Sequence, residues 1–125
     1  MLSCVKGFHT VGLDLNSVFI ENAERIRQKL NVENLTFKHA NMMTQDYSDA
    51  SLIYVYGTAL SDAAIRNLKK ALTSAPPNCV IITISYALND IETAGIHDAI
   101  FPVQQVLPMR FVWGETDAFI QTRAP

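Results

Sequence analysis

Two rhythms of apolar residues run along the chain. Val11-Gly12-Leu13-Asp14-Leu15 is a short apolar run ending at Asn16-Ser17, which predicts a buried strand followed by a capped helix. From Ser17 to Leu30, the residues Phe19, Ala23, Ile26 and Leu30 recur at i, i+4, i+7 and i+11, with Glu21, Glu24, Arg25, Gln28 and Lys29 between them. That spacing predicts an amphipathic helix with one apolar stripe, stopped at Asn31. Leu35 to His39 alternates apolar with polar, as a half-covered edge strand does. After a polar loop through Asp46, Ser48 and Asp49, Leu52 to Tyr56 is an unbroken β-prone run. Such a run suits a parallel strand covered on both faces. Gly57-Thr58 ends it, and Ser61-Asp62 opens a second helix with Ile65, Leu68 and Leu72 on one face. Lys69 and Lys70 complement the dipole in its last turn, and Pro76-Pro77 closes the segment.

Val80 to Ile84 reads as a further buried strand, and Asp90 to Ala99 as a short helix. Val103–Val112 and Ala118–Thr122 are β-rich and joined across Trp113 to Asp117, the pattern of an antiparallel hairpin. Helices alternating with buried strands predict an α/β fold with a mainly parallel sheet and right-handed crossovers. No repeat or long linker divides the chain, so residues 1–125 are expected to form a single domain.

Composition narrows the class. The chain has 125 residues, 49% of them hydrophobic, and a net charge of −2. Near-neutral charge argues against a broad nucleic-acid-binding face. The short apolar runs and the start Met-Leu-Ser-Cys-Val-Lys predict no membrane span and no signal peptide. Two cysteines, Cys4 and Cys79, do not make a disulfide framework, so a reduced, cytoplasmic setting is expected.

The residues that could carry chemistry sit where strands end. Asp14 closes the first strand just before a helix, and open α/β sheets bind ligands outside such strand ends. Its carboxylate could accept hydrogen bonds from a ribose diol; equally, it could cap or charge the helix N-terminus. Asn41-Met42-Met43 follows the next strand. There Asn could bond an adenine edge and Met cover the ring, or both could be ordinary turn and core residues. Tyr56-Gly57-Thr58 ends the third strand. Glycine permits close approach of a ligand, or simply ends the strand beside a core tyrosine. Other chemistry lacks its residues. His9, His39 and His97 have no metal-ligand spacing, so no metal site is expected. There is no Gly-x-Ser-x-Gly elbow and no phosphate-cradling glycine loop, and Cys79 reads as a core residue.

Val11 to Asn16, together with the helix over 17–30, resembles the second-strand region of class I S-adenosylmethionine-dependent methyltransferases. Asn34 to Met42 is similar to that family's third strand and adenine-contacting turn, Asp49 with Leu52–Tyr56 to its fourth strand, and Val80–Tyr86 to its fifth. Phe111-Val112-Trp113-Gly114 with Phe119-Ile120 resembles its terminal hairpin. The resemblance implies a Rossmann-like, mostly parallel sheet with a C-terminal antiparallel hairpin. It also implies S-adenosyl-L-methionine as cofactor. By position, Asp14 would bind the ribose with Leu15 beside it, Asn41 and Met42 would meet the adenine, and Tyr56 and Gly57 would lie near the methyl donor. The family more often has Asp where Asn41 stands. Tyr56-Gly57-Thr58-Ala59 replaces an Asn-Pro-Pro-Tyr signature, so DNA-adenine methylation is not expected.

The family opens with a strand and a Gly-x-Gly-x-Gly-like loop that holds the methionine part of the cofactor. Residues 1–10 contain no such loop, and Met1–Lys6 resembles the tail of the helix after it. The expectation is therefore a partial, N-terminally truncated domain whose first strand, normally central between the strands at 11–15 and 52–56, is missing. Methyl transfer to a protein or small-molecule acceptor is the leading reading, with weak or no cofactor binding by this chain alone. The alternative is a degenerate Rossmann-like binding module without catalysis. A nicotinamide-dependent dehydrogenase also fits an acid after the second strand, but the terminal hairpin disfavours it. An exposed sheet edge could make the chain a homo-oligomer.

Overall fold

The computed structural model describes residues 8–125; the readings of Met1–Lys6 and Cys4 fall outside them. The chain divides into two compact units, Met1–Gln45 and Asp46–Pro125.

The first unit is a strand–helix–strand motif: β1 (Thr10–Asp14), α1 (Ser17–Lys29) and β2 (Leu35–His39). The two strands are parallel, in register from Thr10 opposite Leu35 to Asp14 opposite His39. Asn16 caps the helix, its Oδ1 accepting from the amides of Val18 and Phe19 at 3.0 and 3.4 Å. Asn31, with φ 50°, turns the chain out of the helix as its sequence position suggested. The apolar stripe is present but uncovered: no α1 residue is buried, and Phe19 is 60% exposed. A two-stranded sheet, with its strands about 4.8 Å apart, is no wider than one helix and cannot enclose its flanks.

The second unit holds β3 (Leu52–Val55), α2 (Asp62–Leu72), β4 (Val80–Ile84), β5 (Val103–Phe111) and β6 (Gly114–Thr122). Its sheet runs β3-β4-β6-β5, with β3 and β4 parallel and β6 antiparallel to both of its neighbours. Ser61 Oγ caps α2 through the Ala64 amide at 3.2 Å. The core gathers Ile53, Val55, Ile65, Leu68, Leu72, Ile81, Ile84, Leu88 and Phe101, and Cys79 is buried beside them in sequence at the start of β4. One amide is enclosed there: Gln121 accepts from the Leu88 amide at 2.8 Å and donates to the Phe101 carbonyl at 2.7 Å. Lys69 is also fully buried, donating to the Ile91 carbonyl at 3.2 Å and pairing with Asp98 at 3.4 Å.

Four sequence expectations are corrected. The strand at 11–15 is not buried: no β1 residue is, and Val11 is 50% exposed, because β1 pairs with β2 alone among the described residues in a sheet too narrow to enclose it. The run at 52–56 is not covered on both faces. Ile53 and Val55 are buried, but Leu52 and Tyr54 are 52% and 57% exposed, so packing covers only one face of the strand. Asp90–Ala99 is not a helix. Two short 3₁₀ turns, Leu88–Asp90 and Asp98–Ile100, flank a bridge between Thr93 and Ile96. Gly95 at φ 82° and side chains that take local amides, Asp90 from Ala87 and His97 from Ala99, compete with helix formation. The hairpin loop is only Val112-Trp113, with Phe111 opposite Gly114. Glu115, Thr116 and Asp117 look loop-like because this stretch of β6 pairs with β5 alone, β4 joining only from Ala118. A two-stranded ribbon leaves both faces to water.

Among the described residues, no helix is long and apolar enough to cross a membrane.

Candidate functional site

In the first unit, parallel pairing of β1 with β2 brings two candidate segments together at their carboxyl ends. The Ala40 amide donates to the Asp14 carbonyl at 3.1 Å, so Asn41 starts directly beside the end of β1. Asp14 is exposed. Its Oδ1 accepts the Asn16 amide at 2.7 Å, and its second oxygen meets no described residue. The helix is capped by Asn16 and carries no acidic residue in its first turn, so Asp14 is not the N-cap. Its carboxylate is oriented by one local bond and keeps acceptor capacity toward solvent, which suits a pair of hydroxyl donors.

The loop beyond it is pinned by a residue whose sequence context suggested only a strand end. His39 Nε2 donates to the Leu15 carbonyl at 2.8 Å. This bond holds the 63% exposed Leu15 next to Asp14. Asn41 Oδ1 accepts the Met43 amide at 2.9 Å, and its carbonyl accepts the Thr44 amide at 3.1 Å. The Asn41 side chain is thus fixed through its oxygen, with its amide N–H groups and the remaining lone pair still available. A cavity of about 170 Å³ opens beside this corner, lined by Gly12, Leu13, Asp14, Phe19, Ile20, Ala23 and Phe37. That volume holds about one planar ring. A wider depression of about 520 Å³ lies at the other end of α1, among Arg27, Gln28, Asn31, Val32 and Glu33, where the strands begin. It is away from the carboxyl ends at which α/β sheets bind ligands.

In the second unit, Tyr56 and Gly57 follow β3 directly. The Trp113 indole N–H donates to the Tyr56 hydroxyl. Phe111 joins both rings: its centroid is 5.5 Å from Tyr56, tilted at 54°, and 5.5 Å from Trp113, nearly parallel at 2°. The hairpin tip therefore holds Tyr56 in one orientation. Gly57 is buried where no side chain fits. A Cβ there would stand 2.6 Å from Leu60 Cδ1 and 3.0 Å from the Tyr86 hydroxyl. That hydroxyl is buried with no hydrogen-bond partner among the described residues. Burial pushes the Tyr86 phenol above its ordinary range, so it stays protonated. Tyr86 follows the left-handed Ser85, at φ 75°, and is fixed by the Thr83 hydroxyl donating to its carbonyl.

All six sequence candidates thus lie at carboxyl ends of strands: Asp14, Leu15, Asn41 and Met42 in the first unit, and Tyr56 and Gly57 in the second. The sequence assigns no site role to Tyr86, Phe111, Trp113 or His39. For the first three the available signal was position, since each stands at a strand end or hairpin tip.

No family model matches this chain, and no curated protein does. Solved structures do. An RNA methyltransferase from Salinibacter ruber, in complex with S-adenosyl-L-homocysteine, superposes with a TM-score of 0.73 at 14% identity over 98% of this chain and 70% of that one. A mutant of MtNAS in complex with S-adenosylmethionine gives 0.71 at 16% identity, over 99% and 49%. TrmN from Thermus thermophilus gives 0.73 at 11% identity, over 90% and 36%. This chain therefore spans about half the length of MtNAS and about a third of TrmN. It has the class I methyltransferase fold, a Rossmann-like α/β architecture with a terminal antiparallel hairpin.

Proposed function

We propose that this chain is the cofactor-binding part of an S-adenosylmethionine-dependent methyltransferase. The observation that carries the reading is Asp14: an exposed carboxylate at the end of β1, oriented by the Asn16 amide, with Asn41 starting beside it. Asp14 would accept both ribose hydroxyls. Leu15, held by His39, would lie against the sugar. Asn41 would face the adenine amino group through the lone pair that Met43 leaves free, and Met42 would cover the ring. In the second unit Tyr56 is held by Trp113, and Gly57 lies under Leu60 and the Tyr86 hydroxyl.

The bound cofactor supplies an activated methyl group on its sulfonium. The work left to the chain is binding and alignment of that group with an acceptor, a protein or a small molecule. The 125 residues by themselves contain no glycine-rich loop for the methionine end, so weak binding is expected of them alone. The second reading is a Rossmann-like binding module without catalysis.

Titration of the isotopically labelled chain with S-adenosylhomocysteine, followed by NMR and by calorimetry, tests the assignment. The expected result is weak binding with shifts at Asp14, Leu15, Asn41 and Met42, reduced at least tenfold by Asp14→Ala. Micromolar binding that survives Asp14→Ala removes the ribose role. No shift at millimolar ligand favours the non-catalytic module.

A further inference from the structure

The β5–β6 ribbon carries three charges, Arg110, Glu115 and Asp117. Arg110 stands opposite Glu115 and Asp117 opposite Pro108, so alternation puts all three on one face. Arg110 and Glu115 also pair with each other at 4.0 Å. The other face has Met109 opposite Thr116 and Phe111 opposite Gly114, with no charge, and it leads into Trp113 at the tip. Solvation of both faces gives no reason for this sorting. The neutral face ends where strands of the second unit end, and open α/β sheets take ligands outside carboxyl strand ends. Phe111 covers one face of the indole, and the Tyr56 hydroxyl takes its N–H. The exposed 56% of Trp113 is therefore mostly its second face and its outer edge. Hydroxyls accompany the ring. Tyr56, just past β3, accepts the indole proton and keeps its own to donate. Ser85 Oγ, just past β4, lies 2.9 Å from Thr116 Oγ1 on β6.

We propose that this cluster is a ring-binding platform, and that the methyl acceptor is a free, neutral, planar heteroaromatic molecule stacked on the open face of Trp113. The acceptor role rests on the methyltransferase reading above; the platform does not. The indole and Phe111, nearly parallel at 2°, already form an offset stack, and a second flat ring continues it. Trp113 is held by Phe111 and Tyr56 before the ring arrives, so binding costs it little freedom. A ring with a lone pair on its edge takes the remaining Tyr56 proton. Charge decides the source of such a ring. A nucleic-acid strand brings phosphates, and the neutral face of the ribbon has no cation to meet them. A free molecule brings only the ring. One such stack gives a Kd of about 1–10 mM.

Caffeine, neutral and planar, is the probe. The whole chain has one tryptophan, so the isotopically labelled protein gives a single indole N–H signal. On titration that signal should shift together with the Phe111 and Thr116 amides. Cyclohexanol, of similar apolar character but with no π face, should shift none of them. Trp113→Leu should abolish the Thr116 shift, and Val106→Ser, on the charged face, should leave it unchanged. Circular dichroism confirms that both variants fold. Four results overturn the platform: caffeine shifts in the first unit only, equal shifts with cyclohexanol, a Trp113→Leu protein that responds like the parent, or no shift at all. Oligoadenylate that binds at the same indole more than tenfold tighter than caffeine overturns the assignment to a free molecule. A parallel titration with S-adenosylhomocysteine separates the two readings. Caffeine shifts at Trp113 without S-adenosylhomocysteine shifts at Asp14 and Asn41 remove the acceptor role and leave the platform. The reverse removes the platform and leaves the methyltransferase reading.

Discussion

Tyr86→Phe should stabilise the second unit. The Tyr86 hydroxyl is buried and unpartnered among the described residues, close to the Cα of Gly57. In water that hydroxyl makes hydrogen bonds that folding takes away and does not replace, a cost of about 1–3 kcal/mol for a buried hydroxyl. Phenylalanine keeps the ring and its packing and removes only the oxygen. The space left is smaller than a methyl group, so the cavity penalty is a minor offset. The net expectation is a gain of about 1 kcal/mol, or about 3–5 °C in Tm for a chain of this size. The chain has a single tryptophan, Trp113, which lies in the same unit, so its fluorescence during urea unfolding reports this unit directly. The midpoint should rise at unchanged slope. A loss of 1 kcal/mol or more would refute the reasoning, because it would mean that the hydroxyl has a partner in the folded protein. The alkaline behaviour supplies a second reading of the same hydroxyl. The fold favours the neutral phenol, so Tyr86 contributes stability that is present below the ordinary tyrosine pKa and lost as pH rises through its raised value. The phenylalanine variant lacks that part of the alkaline loss.

Two further predictions test the packing of this unit. Gln121→Leu should destabilise by about 1–3 kcal/mol in the same urea assay, since it strands the Leu88 amide in the core and takes one of two donors from the Phe101 carbonyl, Asn89 supplying the other. Burial pushes the Tyr47 phenol up to about 12. Its contribution to stability is therefore complete below the ordinary value of about 10 and lost between about pH 10 and 12; Tyr47→Phe should flatten that part of the pH–stability curve, measured from urea midpoints.

Much of the local structure was legible because it depends on neighbours in sequence. Asn16 and Ser61 cap the helices they precede, and Asn31 ends the first of them. The 3.6-residue stripe of α2 became a buried face because Ile65, Leu68 and Leu72 meet other core residues. The same kind of stripe in α1 remained exposed. Nothing in its spacing distinguishes the two cases. For the candidate site, residue type and placement at strand ends marked Asp14, Asn41, Tyr56 and Gly57. The pinning of Leu15 by His39, across β1 and β2, and of Tyr56 by Trp113, between residues 57 apart in sequence, was not legible.

By itself the sequence determined the two helices, the strands and their order, since periodicity and capping are local properties of the chain, but it did not exclude a helix over 90–99. The fold is shared with structures to which identity is only 11–16%. Only the tertiary structure decided which apolar faces are covered and that the Tyr86 hydroxyl is sealed beside Gly57. Burial and hydrogen-bond satisfaction depend on how many distant segments arrive at one place, and the spacing of residues along a strand or helix does not encode that number.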